Sequence, residues 1–190
     1  MRLGSCHELI LRPLTGTWYR AINQKHWKTR LSTKHTTTVT SRYSAGSAQN
    51  PAYQVLYLAQ NHQLALFEVE ALLGNPTNPI ANPAATWTIL ALNVSLASVA
   101  DLVDPGQQRL IGTYAQELTG SWLGYGRTGT APTQQLGKAL FDLPRLEGFL
   151  VPSAKTAGTN LIVFPEKLRR GTSSIRFTNP QTGKVEALKA

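Results

Sequence analysis

Two carboxylates stand inside the apolar run Leu64-Ala65-Leu66-Phe67-Glu68-Val69-Glu70-Ala71-Leu72-Leu73. The residue types predict a helix over 62–73, N-capped by Asn61 and stopped at Gly74-Asn75-Pro76. On that helix Glu68 falls beside Leu64, Ala65, Ala71 and Leu72, its neighbours at three and four residues, while Glu70 lies about 200° further round. A carboxylate on an apolar stripe loses hydration unless it is paired or opens onto a cleft. Glu68 is therefore either a half-exposed edge residue or a pocket carboxylate that steadies a cationic transition state. Arg42 sits in a polar loop between Ser41 and Tyr43. It is either a solvated arginine or a guanidinium clamp on a diphosphate.

Other chemistries find less support. Gly124-x-Gly126-x-x-Gly129 has the letters of a dinucleotide fingerprint. It follows no clear strand, and Thr130, Ala131 and Pro132 interrupt the helix the motif requires. His7, His26, His35 and His62 show no metal-ligand spacing, so surface or core roles are expected. No G-x-S-x-G elbow is present. Cys6 is the single cysteine, which excludes an intramolecular disulfide and a cysteine-based zinc site.

The elements that must position these residues form a mixed pattern. A short strand is predicted at 17–22, and residues 1–16 read as short and mixed. Residues 32–50, rich in Thr and Ser, read as a long surface loop with at most an edge strand. Further strands are predicted at 54–59, 86–96, 146–151, 160–164 and 175–177. A turn is expected at 97–104, helices at 107–119 and 134–141, and a glycine-rich loop at 120–133. The order does not alternate regularly, which argues for an α+β domain over a doubly wound parallel sheet. With 190 residues and 42% hydrophobic content the chain can bury a proper core, and the composition argues against global disorder. Lys and Arg total 19 against 10 Asp and Glu, a formal charge of +9. The middle of the chain is mildly acidic and both ends are basic. That balance fits a solubilising surface, capture of a phosphorylated small molecule, or nucleic-acid binding. No helix-turn-helix, zinc finger or RNP-like motif favours the last. No membrane span and no secretory signal are read, so a cytoplasmic protein is expected.

Three segments taken together resemble a known family. They are Trp18-Tyr19-Arg20-Ala21; then Ser41-Arg42-Tyr43-Ser44 leading to Val55-Leu56-Tyr57-Leu58-Ala59 and Ala65-Leu66-Phe67-Glu68-Val69; and finally Leu150-Val151-Pro152-Ser153-Ala154 with Asn160-Leu161-Ile162-Val163-Phe164-Pro165. The chain resembles a RES domain over about residues 17–168, as a single domain with a basic polar extension at 169–190. The resemblance implies a compact ADP-ribosyltransferase-like fold with split or bent antiparallel-rich sheets. It implies a toxin of a toxin–antitoxin pair that consumes NAD as substrate, needs no cofactor or metal, and is covered by an Xre-type antitoxin. Some members transfer ADP-ribose to a protein instead.

Residue by residue, the resemblance implies that Arg42 is the family arginine, Glu68 the glutamate, Ser153 the serine and Tyr57 the tyrosine of the apolar strand. Arg20 matches the early basic residue, and Tyr43 the aromatic after the arginine. Ser41 stands where the family usually has glycine, and the interval from Arg42 to Tyr57 is longer than usual. The implied catalytic set is Glu68, Arg42, Tyr57 and Ser153. The implied substrate-binding set is Arg42, Arg20, Tyr57, Tyr43 and Ser153. Arg42, with Arg20, would hold the diphosphate; Tyr57 would stack on nicotinamide; Ser153 would bond the substrate or orient Glu68. Besides NAD cleavage, two alternatives stand: ADP-ribosylation of a protein target, and a non-enzymatic module whose basic ends bind nucleic acid in a salt-sensitive manner. Sequence-specific nucleic-acid binding and membrane association are not expected.

Overall fold

The computed structural model describes residues 1–84, 86–127 and 130–188. Its regular elements are β1 (Leu11–Asn23), β2 (Leu56–Ala59), α1 (His62–Glu68), β3 (Leu72–Asn75), β4 (Asn78–Ala81), β5 (Trp87–Asp101), α2 (Pro105–Leu110), α3 (Ala115–Thr119), α4 (Pro132–Asp142), β6 (Gly148–Pro152), β7 (Thr159–Val163), β8 (Ser174–Thr178) and β9 (Val185–Ala187). Short 3-10 turns fill Leu3–Glu8, Gln24–Thr29, Lys34–Thr37, Gly46–Ala48, Leu123–Arg127 and Pro165–Lys167. Among the described residues no helix is long and apolar enough to cross a membrane.

Seven strands pair in the order β1-β2-β7-β6-β5-β8-β9, and β1 also pairs with β5. That extra pairing closes β1, β2, β7, β6 and β5 into a ring. β1 lies antiparallel to β5 from Leu11↔Ala100 to Asn23↔Trp87 but touches β2 only at Tyr19↔Ala59. Every pairing is antiparallel except β5 with β6. β3 and β4 form a separate hairpin. The expected antiparallel-rich, bent α+β architecture is found.

Side chains alternate along a strand with a period of two, so a strand buried on both faces feeds two cores. Leu56, Leu58, Leu161 and Val163 point into an inner cluster with Trp18, Leu90, Leu92, Val94, Leu96, Ile175 and Phe177. Tyr57, Phe149, Val151 and Ile162 face the opposite way, against Leu118, Leu136, Leu140 and Tyr43. The second cluster is therefore where α3 and α4 cover the sheet.

Several sequence expectations are corrected. β1 starts at Leu11, not at 17, and β5 runs through Asp101, across the expected turn at 97–104. Residues 107–119 make two short helices instead of one, because the chain turns through Gly112 at φ 62°. Loop 32–50 is not a surface loop throughout: Tyr43, Ser44 and Ala45 are buried. The segment beyond 168 is not simply a polar extension, since β8 pairs with β5 and buries Ile175 and Phe177. Of the G-x-G-x-x-G letters, Gly124 and Gly126 lie in a 3-10 turn and Gly129 lies outside the described residues.

The predicted helix 62–73 ends at Glu68. Asn61 caps it as expected, its Oδ1 accepting from Leu64 N–H at 2.8 Å. At the other end Glu70 takes φ 58°, Glu70 N–H reaches Phe67 C=O at 3.1 Å, and Ala71 N–H reaches Leu66 C=O at 2.9 Å. This is a Schellman ending with a glutamate where glycine is usual, which is why the sequence concealed it. Leu64 and Ala65 remain helical neighbours of Glu68; Ala71 and Leu72 do not.

One carboxylate the sequence did not single out carries structure. Glu147 is 1% exposed. Its Oε2 accepts from the N–H of Ala97 at 2.6 Å and Ser98 at 3.1 Å, and its Oε1 from the N–H of Arg169 at 2.7 Å. The side chain stitches β5 to the segment after β7. Glu147→Ala leaves those donors without their acceptor, and we expect a loss of about 2 kcal/mol in urea unfolding.

Candidate active site

Glu68 is the last residue of α1, and its carboxylate meets Asn160 of β7. Two features bring this helix to the sheet. Leu64 and Ala65 pack with Ala59 against Tyr19, Ala21 and Ile89. Gly158, at φ 146° in the β6–β7 loop, lets that loop approach: a Cβ there would stand 2.9 Å from Leu64 Cδ2. The loop and β7 then present two donors to one carboxylate oxygen. Ser153 Oγ lies 2.6 Å from Glu68 Oε1, and Asn160 Nδ2 lies 2.6 Å from the same atom. Ser153 Oγ also accepts from the N–H of Lys155 at 3.0 Å and of Thr156 at 3.4 Å. Its acceptor side is thus occupied, and its proton goes to Glu68. Both bonds end on Oε1, so Oε2 carries neither. Glu70 faces elsewhere: it is exposed and pairs with Lys155 Nζ at 2.7 Å, which lowers its pKa.

Glu68 lines a cavity of about 300 Å³ together with Arg20, Arg42, Tyr57, His35 and Asn160. The structure therefore brings Glu68, Arg42, Tyr57 and Arg20 to one cavity, across separations of up to 48 residues. Ser153 does not line it but touches Glu68 directly.

Arg42 is held by carbonyls at the end of α3. Its Nη1 donates to Leu118 C=O at 3.3 Å and to Gly120 C=O at 2.5 Å. These bonds use one terminal nitrogen and fix the direction of the guanidinium. Arg20 is anchored similarly, Nη1 donating to Arg30 C=O at 3.0 Å and Nη2 to Ser32 C=O at 3.5 Å. Burial lowers its pKa to about 10, which still leaves it cationic at neutral pH. His35 is held below its usual value by burial, then by the charges of Arg20 and His26. At neutral pH the wall thus offers two fixed guanidinium cations and a largely neutral imidazole.

The Tyr57 hydroxyl is committed to the loop that carries Arg42. It accepts from Tyr43 N–H at 3.1 Å and shares a hydrogen bond with Ser41 Oγ at 2.9 Å. Burial raises its pKa, so it stays protonated at neutral pH. Its ring is what remains to meet a ligand. The Ser41 hydroxyl thereby ties the loop to β2.

Tyr43 does not line the cavity. It is 1% exposed, its hydroxyl donates to Leu118 C=O at 3.2 Å, and its ring meets the edge of Phe149. The expectation that it binds substrate directly is corrected: an aromatic residue in a polar loop found a core to fill. Asn160 and His35 were not singled out as site residues. Asn160 lies near the start of β7, paired with Val151 and Ala59, where a polar side chain directly before the buried run Leu161-Ile162-Val163 is the signal. His35 carried no such signal.

Comparison with known proteins gives two findings. The RES domain family model matches residues 17–182. A chain in the crystal structure of the M. tuberculosis MbcT–MbcA toxin–antitoxin complex is similar, with a TM-score of 0.67 and 20% sequence identity, covering 98% of this chain and 91% of that chain. At that identity the likeness is one of fold. No curated protein is matched.

Proposed function

The chain belongs to the RES-domain family, and on that premise we propose that it is a toxin that cleaves the nicotinamide–ribose bond of NAD and is neutralised by a cognate antitoxin. The observation that carries the reading is one carboxylate, Glu68, held on Oε1 by two donors inside a cavity also walled by Arg42, Arg20 and Tyr57. The fold neighbour's place in a toxin–antitoxin complex supports the partner.

The chemistry needs little more. Nicotinamide is bound to ribose through a cationic pyridinium nitrogen, so it leaves neutral and requires no general acid. Ordinary glycosidases need a second carboxyl group to protonate their leaving oxygen. Here Glu68 Oε2 faces the positive charge that develops on the ribose and accepts from a ribose hydroxyl. Ser153 serves as the residue that orients Glu68. Arg42 and Arg20 hold the diphosphate, with directions already set by main-chain carbonyls. The Tyr57 ring covers nicotinamide and excludes water. The ADP-ribosyl group passes to water, phosphate or a protein side chain.

The test is nicotinamide release from NAD by the purified protein. A well-folded protein that neither binds nor cleaves NAD overturns the reading. Labelled ADP-ribose appearing on protein in a lysate would assign the transferase alternative. Arg42→Ala is expected to raise KM for NAD about 10- to 100-fold with a smaller change in kcat, the loss of a charge-assisted bond to phosphate. Unaltered NAD binding in that variant removes Arg42 from the clamp.

A further inference from the structure

Asn160 carries an unusual cost. It is 9% exposed and sits in β7 between Thr159 and Leu161. Its Nδ2 donates to Glu68 Oε1 at 2.6 Å, but its Oδ1 is buried without a hydrogen-bond partner among the described residues. The amide cannot be turned to relieve this. The reverse orientation would set a carbonyl oxygen against a carboxylate oxygen at the same short distance. A buried acceptor left unpaired is destabilising, and the three strand positions that follow are apolar. Leu161, Ile162 and Val163 are all buried hydrophobics. Packing alone would be better served by another such residue at 160.

We propose that Asn160 is a positioning residue for Glu68, supplying the second of two converging donors that fix the carboxylate plane and turn Oε2 toward the substrate. Its action in catalysis rests on the reading that Glu68 stabilises the ribose cation; its bond to Glu68 does not. One donor on Oε1 leaves a carboxylate free to pivot about that contact. Two donors arriving from different elements, the β6–β7 loop and β7 itself, remove the pivot. Rigid placement matters because a misdirected carboxylate must reorganise during the reaction, which forfeits electrostatic preorganisation. The side chain must be neutral and a donor at neutral pH, of a length that spans from the strand to the end of α1. Aspartate has the length without the donor, and serine has a donor on a shorter arm.

Two measurements decide this, one of them independent of turnover. In the 15N–1H spectrum of the full chain, the Asn160 side-chain amide is expected to show one displaced, exchange-protected proton that reverts to ordinary amide behaviour in Glu68→Ala. An Asn160 amide unchanged by Glu68→Ala overturns the proposal, whether or not the protein cleaves NAD. In nicotinamide-release kinetics, Asn160→Ala is expected to lower kcat about 10- to 100-fold with KM for NAD little changed and thermal stability not reduced in proportion. Asn160→Asp is expected to regain activity relative to Asn160→Ala as the pH falls, because the protonated carboxyl again donates to Glu68. A parallel loss of stability and rate with no acid rescue makes Asn160 structural and overturns the proposal. Absence of turnover in the wild type overturns the NAD reading instead, and the amide spectrum still decides the bond.

Discussion

Glu68→Gln is expected to lower nicotinamide release about 10³-fold or more, with KM for NAD within a few-fold of wild type and an unchanged fold. Glutamine has the shape of glutamate, and its single carbonyl oxygen can accept from both Ser153 Oγ and Asn160 Nδ2, so the network on that side survives. What changes is the other position, where an amide replaces Oε2. A negative charge facing a developing cation becomes a neutral donor group. Preorganised electrostatic stabilisation is commonly the largest single contribution to such a barrier, and loss of one neutral hydrogen-bond donor at a comparable site already costs about 10²- to 10³-fold. Because the leaving group is neutral, no other residue can compensate by protonating it. The measurement is initial-rate nicotinamide release, with a melting curve to establish folding. Ser153→Ala removes one of two donors and leaves the charge, so its expected loss is smaller, on the order of 10-fold. Activity near wild type in Glu68→Gln would mean that the carboxylate is not the stabilising group.

The contrast between Glu68 and Glu147 shows what the sequence could and could not tell. Glu68 was legible because a charged residue on an apolar helical stripe is a local anomaly. The anomaly survives even though the helix is shorter than expected: Leu64 and Ala65 lie N-terminal to Glu68, inside the helix that exists. The helix end was hidden because Glu70 takes a left-handed conformation that usually announces itself as glycine. Glu147 was not legible at all. Its acceptors are filled by main-chain N–H groups of Ala97, Ser98 and Arg169, and main-chain donors leave no mark on residue types. Tyr43 failed for a related reason. A loop rich in Ser and Thr reads as solvated, and its one large aromatic side chain was assigned to a ligand when helices distant in sequence supplied the core it enters. The ring closure of the sheet through β1 and β5 was equally out of reach, since it depends on the register of residues some 75 positions apart. Of the cavity-lining residues Arg20, Arg42, Tyr57 and Glu68, only Glu68 stood out by residue pattern; Arg20 and Tyr57 were placed by the family resemblance, which also chose the clamp role that the polar loop around Arg42 left open, while His35 and Asn160 went unread.

Gly137→Ala is expected to destabilise the protein by about 3 kcal/mol or more, against every local preference. Gly137 lies inside α4, where alanine would ordinarily stabilise by about 1 kcal/mol relative to glycine. A Cβ at this position would stand 2.0 Å from Tyr43 C=O oxygen and 2.8 Å from the carbonyl carbon. The helix is bare at this point so that the backbone carrying Arg42 can cross it. Neither side can yield cheaply. Tyr43 is held by its N–H to the Tyr57 hydroxyl, by its carbonyl accepting from Tyr53 at 2.9 Å, and by its own hydroxyl on Leu118. On the helix, Leu136 and Leu140 are fully buried beside Gly137. Lifting α4 opens cavities around those leucines, while pushing Tyr43 displaces Arg42 and strands the Tyr57 hydroxyl. Overpacking of this kind typically costs 1–3 kcal/mol, and contact with main-chain atoms places this case at the upper end or beyond. For a chain of this size that corresponds to a fall of roughly 6–12 °C in Tm. Gly4→Ala is the control: among the described residues nothing lies within 4 Å of its Cβ position, and its stability should stay within about 0.5 kcal/mol of wild type. Where Gly137→Ala still folds, KM for NAD should rise along with the loss of stability, because the segment that moves is the one that aims Arg42. A variant more stable than wild type would show that α4 and the Arg42 loop are not in contact, and the positioning of the guanidinium by the core would fall with it.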